Sequence, residues 1–419
     1  LGEDGERMPE GAARAPVRRR LVYHLVGYDP MSPAEAHGRF VREQTRFAGT
    51  WGLRAEAGAF ETRDDFAIWP ATAAGRDWRV DSEVRFLRWE DVMARVASAS
   101  TPRRIGRGLL SFADFLIGGA LAGYLRHAWR YTFFFLYPTL LVVGLALVGA
   151  AAGWIAAWAS GLWWFGLAAG ALVFVGLVAW ARHRAMLDHM YDDWIFARDY
   201  IRAPDPVLMA RLDRVAEEIV AESKAGRFDE ILLVGHSLGA VLAVDILDRA
   251  LRGEPDLGAG PAPVALATVG SSIPKLGLHR GATRLRAALG RVGAAPNLFW
   301  VDWQARKDLL NFYRLHPVRG LGAGTRGPIV RTTSLRRSLS PAYYRKIRSS
   351  WLRLHNQFVS GNDVRMPYDY FMLVCGPWPL ERLTLAKAGA LAGVSPDGSL
   401  IREPGEPFTA DRGLDRMPT

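Results

Sequence analysis

Residues Ile231 to Val244 read Ile-Leu-Leu-Val-Gly-His-Ser-Leu-Gly-Ala-Val-Leu-Ala-Val, and their order decides how the rest of the chain is read. Four apolar residues, Ile231 to Val234, suit a buried strand. Gly235-His236-Ser237-Leu238-Gly239 interrupts the run, and helix formers follow from Ala240 to Leu251. The pattern predicts a strand, a tight turn and a helix. Gly235 and Gly239 leave room beside Ser237 where side chains would clash. The helix start directs backbone N–H groups at negative charge arriving at the turn.

Outward from this stretch the chain alternates strands with helices. Arg20 to Gly27 reads as a buried strand. Pro33 to Phe47 reads as a helix, with Ser32 as N-cap and Pro33 in the first position. Arg79 to Trp89 roughly alternates and suits a strand. Asp205 to Lys224 reads as a helix, and Pro263 to Val269 and Asn297 to Gln304 as strands. Tyr368 to Cys375 fits a last strand or a buried helix, and the sole cysteine, Cys375, reads as a strand-core residue. With a single cysteine no internal disulfide can form, which fits a reducing compartment. Alternation of this kind implies an α/β fold with a doubly wound, mostly parallel sheet.

Tyr131 to Ala181 contains 51 residues without one Asp, Glu, Lys, Arg or His. A spanning helix needs about 20 apolar residues, so this length suits a transmembrane hairpin. The spans are placed at about 131–152 and 162–181. Trp154, Trp158, Trp163 and Trp164 cluster in the middle, where tryptophan prefers the far membrane interface. Arg126, Arg130, Arg182 and Arg184 flank the ends and the turn is uncharged. The positive-inside rule therefore predicts cytoplasmic ends, in a bacterial-type inner membrane. Gly108 to Leu125 is apolar apart from Asp114 and short for a span, which suggests an interfacial or re-entrant piece. The expected organisation is a flexible arm without a signal peptide (1–16), a first part of the α/β domain (17–100), the membrane insertion (101–184), a second part carrying the site (185–380) and a tail (381–419).

Strand, Gly-x-Ser-x-Gly turn and helix together form a nucleophile-elbow pattern. From these residues the chain resembles the α/β-hydrolase superfamily, in particular its lipases and esterases, over about residues 17–50 and 205–376. The resemblance implies that Ser237 is a nucleophile, followed in chain order by an acid and then a histidine. A serine hydroxyl needs a base to take its proton and an acid to orient that base. After Ser237 only His279, His316 and His355 remain, and between Leu257 and His355 the only acids are Asp302 and Asp308. Asp308 is favoured because it lies beyond a strand end, where groups of open sheets gather. Asp302, inside the strand, is the alternative acid. Asp308 could also N-cap a helix over Leu309–Leu315. His355 precedes the final apolar element and is favoured as base, with His316 as alternative. His279 would break the order, and His236 reads as a packing or tuning residue. The oxyanion hole implied by the resemblance takes the backbone N–H of Leu238 and a second donor near Gly27, for which Tyr28 is the candidate. The His-Gly pair that many members carry there is Val26-Gly27 in this chain. No cofactor or metal is implied.

The net charge is +11. Between Leu257 and His355 there are 17 Lys and Arg, among them Arg331, Arg336, Arg337, Arg345, Lys346 and Arg348, against two acids. Such a face suits anionic lipid, worth about 1 kcal/mol per basic residue near the surface. Nucleic-acid motifs are absent. Residues Arg319 to Ser340, rich in Gly, Arg and Ser, suggest a lid or cap. The expectation is a membrane-anchored serine hydrolase of carboxylic esters, lipid-like ones above all. Thioesterase, phospholipase, monoacylglycerol lipase and acyltransferase chemistry stay open, as does a silent scaffold of the same fold. A transporter fits poorly, because the spans hold no charge.

Overall fold

The computed structural model describes residues 15–403 and 405–408. The expected arm lies almost wholly outside them, as does the end of the expected tail. The chain divides into two compact units, one of 1–90, 207–277 and 283–419, the other of 91–206 with 278–282. The second unit thus extends past the expected insertion at both ends and takes in a short stretch from later in the chain.

The first unit is built on a nine-stranded mixed sheet: β1 (Arg19–Leu25), β2 (Arg54–Ala57), β3 (Glu61–Thr62), β4 (Phe66–Ala74), β5 (Arg79–Leu87), β6 (Glu230–His236), β7 (Val264–Val269), β8 (Leu298–Ala305) and β9 (Ile329–Thr333). The order is β2-β4-β5-β1-β6-β7-β8-β9, with β3 also paired to β4. From β5 to β9 every pairing is parallel, whereas β2, β3 and β4 run antiparallel at one end. β6 is buried along its whole length, as an uninterrupted apolar run in a parallel interior requires. After β1 the chain runs to the edge strand β2, works inward through β4 to β5 beside β1, and then crosses to β6 on the other side of β1. The carboxyl ends of β1 and β6 therefore flank the point where the strand order reverses, where open sheets leave a crevice.

Arg20 ties these two strands together. Its guanidinium pairs with Glu230 at 2.7 Å and donates to the carbonyls of Gly376 and Trp378, so each of its three nitrogens has a partner. Removing one partner of such a pair typically costs about 3–5 kcal/mol. The helix Pro33–Trp51 begins with a full capping box between Ser32 and Glu35 and ends at Gly52 in the left-handed region.

Several elements depart from the sequence reading. The strands of Arg54 to Ala74 were not anticipated. Tyr370–Cys375 is a buried helix, N-capped by Asp369, so Cys375 is a helix residue of the core and not a strand residue. Leu309–Leu315 is not helical. There the Gln304 side chain takes over backbone bonding, accepting from Arg314 N–H at 2.6 Å and donating to the Leu315 carbonyl at 2.9 Å. Within Arg319–Ser340, residues Ile329–Thr333 form strand β9, so that segment is not a free lid. Arg331 also leaves the basic face. It is buried, stacked on Phe408 at 3.9 Å, with its N–H groups on the carbonyls of Thr384, Ala386 and Lys387.

The second unit is helical. Two of its helices, Trp129–Ser160 and Trp163–Arg184, are long and apolar enough to cross a membrane. At 1.5 Å per residue they measure roughly 48 and 33 Å, against a hydrocarbon core of about 30 Å. Glycine sets their packing. A Cβ at Gly153 would lie 2.7 Å from the Gly166 carbonyl oxygen, and one at Gly170 2.7 Å from that of Gly149. The helix backbones therefore touch directly, as small residues allow between spanning helices. Trp154, Trp158 and Trp163, around the turn, are more than two-thirds exposed. The stretch before the first of these apolar helices forms two helices, Thr101–Ile117 and Ala120–His127, bent by 73° at Gly118–Gly119. His279 and Arg280 occupy the bend, with Arg280 N–H donating to the Gly118 carbonyl at 2.8 Å.

Candidate active site

Four connections bring the candidate residues together at the carboxyl end of the parallel strands. Ser237 sits between β6 and the helix Gly239–Gly253, with φ at +56°, a left-handed value rare for a residue bearing a Cβ. Its neighbours hold it there. A Cβ on Gly235 would meet Ala240 Cα at 2.6 Å, and one on Gly239 would meet the Leu25 carbonyl oxygen at 2.0 Å. Ser237 N–H donates to the Val269 carbonyl at 3.3 Å, and its own carbonyl accepts from Ser272 N–H at 3.1 Å.

Asp308 follows β8 and is buried. Its Oδ1 accepts from Leu310 N–H at 3.0 Å, and its Oδ2 from His355 Nδ1–H at 2.7 Å. One carboxylate thus closes its own loop and orients the ring 47 residues later. His355 ends the helix Trp351–His355. With Nδ1 donating to Asp308, the neutral ring carries its lone pair on Nε2. That Nε2 is buried and has no hydrogen-bond partner.

The Ser237 hydroxyl lies 3.2 Å from Ser272 Oγ and is hydrogen-bonded to it, not to His355. Serine–histidine bonds often tighten only when substrate is present. Ser272 went unnoticed in the sequence. The available signal was Gly270-Ser271-Ser272 at the end of the strand adjoining β6.

Gly27, two residues past β1, shapes the space in front of the serine. A Cβ there would sit 2.6 Å from Ser237 Cβ, 2.9 Å from its Oγ and 3.4 Å from Leu238 N. Only glycine can pack this closely against the hydroxyl-bearing side chain and the neighbouring backbone donor. Leu238 N–H, at the start of the helix, donates no hydrogen bond within the described residues. Tyr28 comes next in the chain, its ring buried edge-on to Trp89.

The alternatives are placed elsewhere. Asp302 is buried within β8, accepting from Thr268 Oγ1 and from Gln304 Nε2 at 2.8 Å. Burial without a cation pushes its pKa up to about 6, against the opposing pull of those two bonds. His316 accepts at Nδ1 from the N–H groups of Val318 and Arg319, each at 3.1 Å, so it caps a turn. His279 belongs to the second unit, bonded to the Asp114 carbonyl at 3.1 Å. His236, expected to pack or tune, is buried with its ring 4.5 Å from that of His355, and donates from Nε2 to the His355 carbonyl at 3.3 Å. Burial, then the neighbouring His355, hold it well below the usual histidine range and hence neutral.

A groove lined by Pro16, Pro261, Pro263 and Pro296 lies at the amino ends of the strands, opposite Ser237. Among the described residues no cluster of His, Cys, Asp or Glu could hold a metal ion. The chain matches no known family model, no curated protein and no solved structure.

Proposed function

We propose that this chain is a membrane-anchored serine hydrolase that cleaves carboxylic esters by way of an acyl-enzyme, and that its first unit is an α/β-hydrolase-like domain. One observation carries the reading. A serine in a strained strand-to-helix turn shares the carboxyl end of one sheet with a buried Asp308–His355 pair whose Nε2 is unoccupied. The mixed sheet, by itself, is compatible with other α/β folds.

In this reading the Ser237 hydroxyl turns from Ser272 to His355, and Nε2 takes its proton as Oγ bonds to the acyl carbon. Asp308 keeps Nδ1 protonated and stabilises the imidazolium. Negative charge on the former carbonyl oxygen is met by Leu238 N–H, with Tyr28 N–H as the second donor. The proton on Nε2 then goes to the leaving alcohol. Water, activated by His355, releases the acid and restores Ser237.

The two apolar helices anchor the chain in a membrane. The basic flanks Arg126, Arg130, Arg182 and Arg184 put both their ends in the cytoplasm. Arg336, Arg337, Arg345, Lys346 and Arg348 are exposed and suit anionic lipid. Lipid-like esters are therefore the preferred substrates. Turnover of matched short and long esters by the detergent-purified chain tests this. Activity is expected to rise severalfold when the long ester is presented in vesicles, and to vanish in Ser237→Ala. Equal turnover of short soluble esters, without gain from lipid, contradicts the lipid assignment.

A further inference from the structure

Arg39 stands in an unusual position for a charged residue. It lies on the buried side of the helix Pro33–Trp51, with a side chain only 19% exposed. It donates from Nη2 to the carbonyl of Asn356 at 3.2 Å, and Asn356 directly follows His355. Its nearest carboxylate, Asp29, stands at 3.8 Å, and Asp29 is two residues past Gly27. The guanidinium therefore bridges the two segments that flank Ser237: the turn after β1 and the turn bearing the candidate base.

This bridge is poorly bonded. Of five N–H donors, one meets a carbonyl and one a sulfur, Met31 Sδ at 4.0 Å. The other three have no acceptor among the described residues. Arg46, about two turns further along the same helix, shows the contrast, because it reaches Asp363 at 2.6 Å. Burial lowers the pKa of Arg39, and Asp29 only partly offsets this. A desolvated guanidinium with open donors favours an oxyanion in the same space, and its planar fork matches carboxylate and phosphate.

A second, independent feature points the same way. From 309 to 362 the chain holds no acidic residue. The segment leading to His355 exposes Arg345, Lys346, Arg348 and Arg353, none of which forms an ion pair among the described residues. Positive charge massed on the approach to a cleft raises the local concentration of anionic ligands.

We infer that the site takes an acyl ester bearing its own anionic group, a phosphate or carboxylate, and that Arg39 binds that group beside the scissile bond. The inference rests on the site proposed above and names its substrate class. In this arrangement Arg39 selects substrates and takes no part in proton transfer.

Binding separates this claim from catalysis. Ser237→Ala protein in neutral detergent micelles, which offer no anionic surface, is titrated with a monoacylglycerol phosphate and with the monoacylglycerol of equal chain length. The phosphate is expected to bind on the order of tenfold tighter or more, as for a charge-assisted contact. Arg39→Gln should abolish the difference and Arg39→Lys restore part of it. Replacing Arg345, Lys346 and Arg348 together by Ala should leave it largely intact. Equal affinity for the two ligands, or a preference that survives Arg39→Gln, overturns the inference. A preference lost only in the triple variant assigns it to the exposed rim and also overturns it. Fluorophosphonate labelling of the Arg39 variants gives a separate readout, because it reports on Ser237. A wild type that binds the phosphate selectively yet never labels would retain the anion site while refuting the hydrolase.

Discussion

Ser237 holds a backbone conformation that costs roughly 1–2 kcal/mol for a residue with a Cβ, and close packing at Gly235 and Gly239 maintains it. Such strain persists only where surrounding structure enforces it, and here Ser237 is held directly against Gly27. In the proposed mechanism the two aspartates in and after β8 divide function from stability. Asp308→Asn should lower kcat by about 10³–10⁴-fold, because the amide cannot hold the neutral ring in the tautomer that leaves Nε2 free. Asp302→Asn should change the rate little. Its effect is on stability: the folded pKa of about 6 lies above the unfolded value of 3.8. The folded state keeps that proton longer, so the stabilisation is full below about pH 3.8 and is lost as pH rises through 6. Denaturant titrations from pH 4 to 7 should show a decline, on the order of 2–3 kcal/mol at most, that flattens in Asp302→Asn. A large rate loss in Asp302→Asn and none in Asp308→Asn would reverse the assignment.

At the level of elements, the hairpin depends on glycine at two heights. Gly166→Leu would drive a side chain into space where even a Cβ lies 2.5 Å from the Gly153 carbonyl oxygen. Gly176 has nothing within 4 Å, so Gly176→Leu is its control. Thermal melts in detergent should drop by roughly 5 °C for Gly166→Leu and stay unchanged for Gly176→Leu. Equal shifts would mean that the helices do not pack through these glycines.

The same elements show what the sequence discloses. The β6 turn was legible because apolar run, paired glycines and helix formers agree over 14 residues. The hairpin was legible because no charge interrupts it. The β2–β4 region was not, since Pro70 stands within β4 and β2 and β3 are short and polar. β9 was obscured by its Gly- and Arg-rich surroundings. The helix expected at Leu309–Leu315 failed because one buried side chain, Gln304, outcompeted local propensity. Arg39 and Ser272 belong to no motif. Their place at the site follows from tertiary neighbours far away in the chain: Asn356 lies 317 residues from Arg39, and Ser272 lies 35 from Ser237.

For the whole molecule, the proposed orientation, argued from the basic flanks and uncharged turn of the hairpin, is one that labelling can check. In a Cys375→Ser background, a membrane-impermeant maleimide should reach Ser160→Cys in intact cells and Arg184→Cys only after permeabilisation. The opposite pattern would place the ends outside. The central claim, an activated serine at 237, is tested most directly by fluorophosphonate labelling of membranes carrying wild type or Ser237→Ala, with the modified peptide mapped by mass spectrometry. One adduct is expected, on Ser237 of the wild type, and none in the variant. A folded wild type that resists the probe, or labelling that persists in Ser237→Ala, would contradict it.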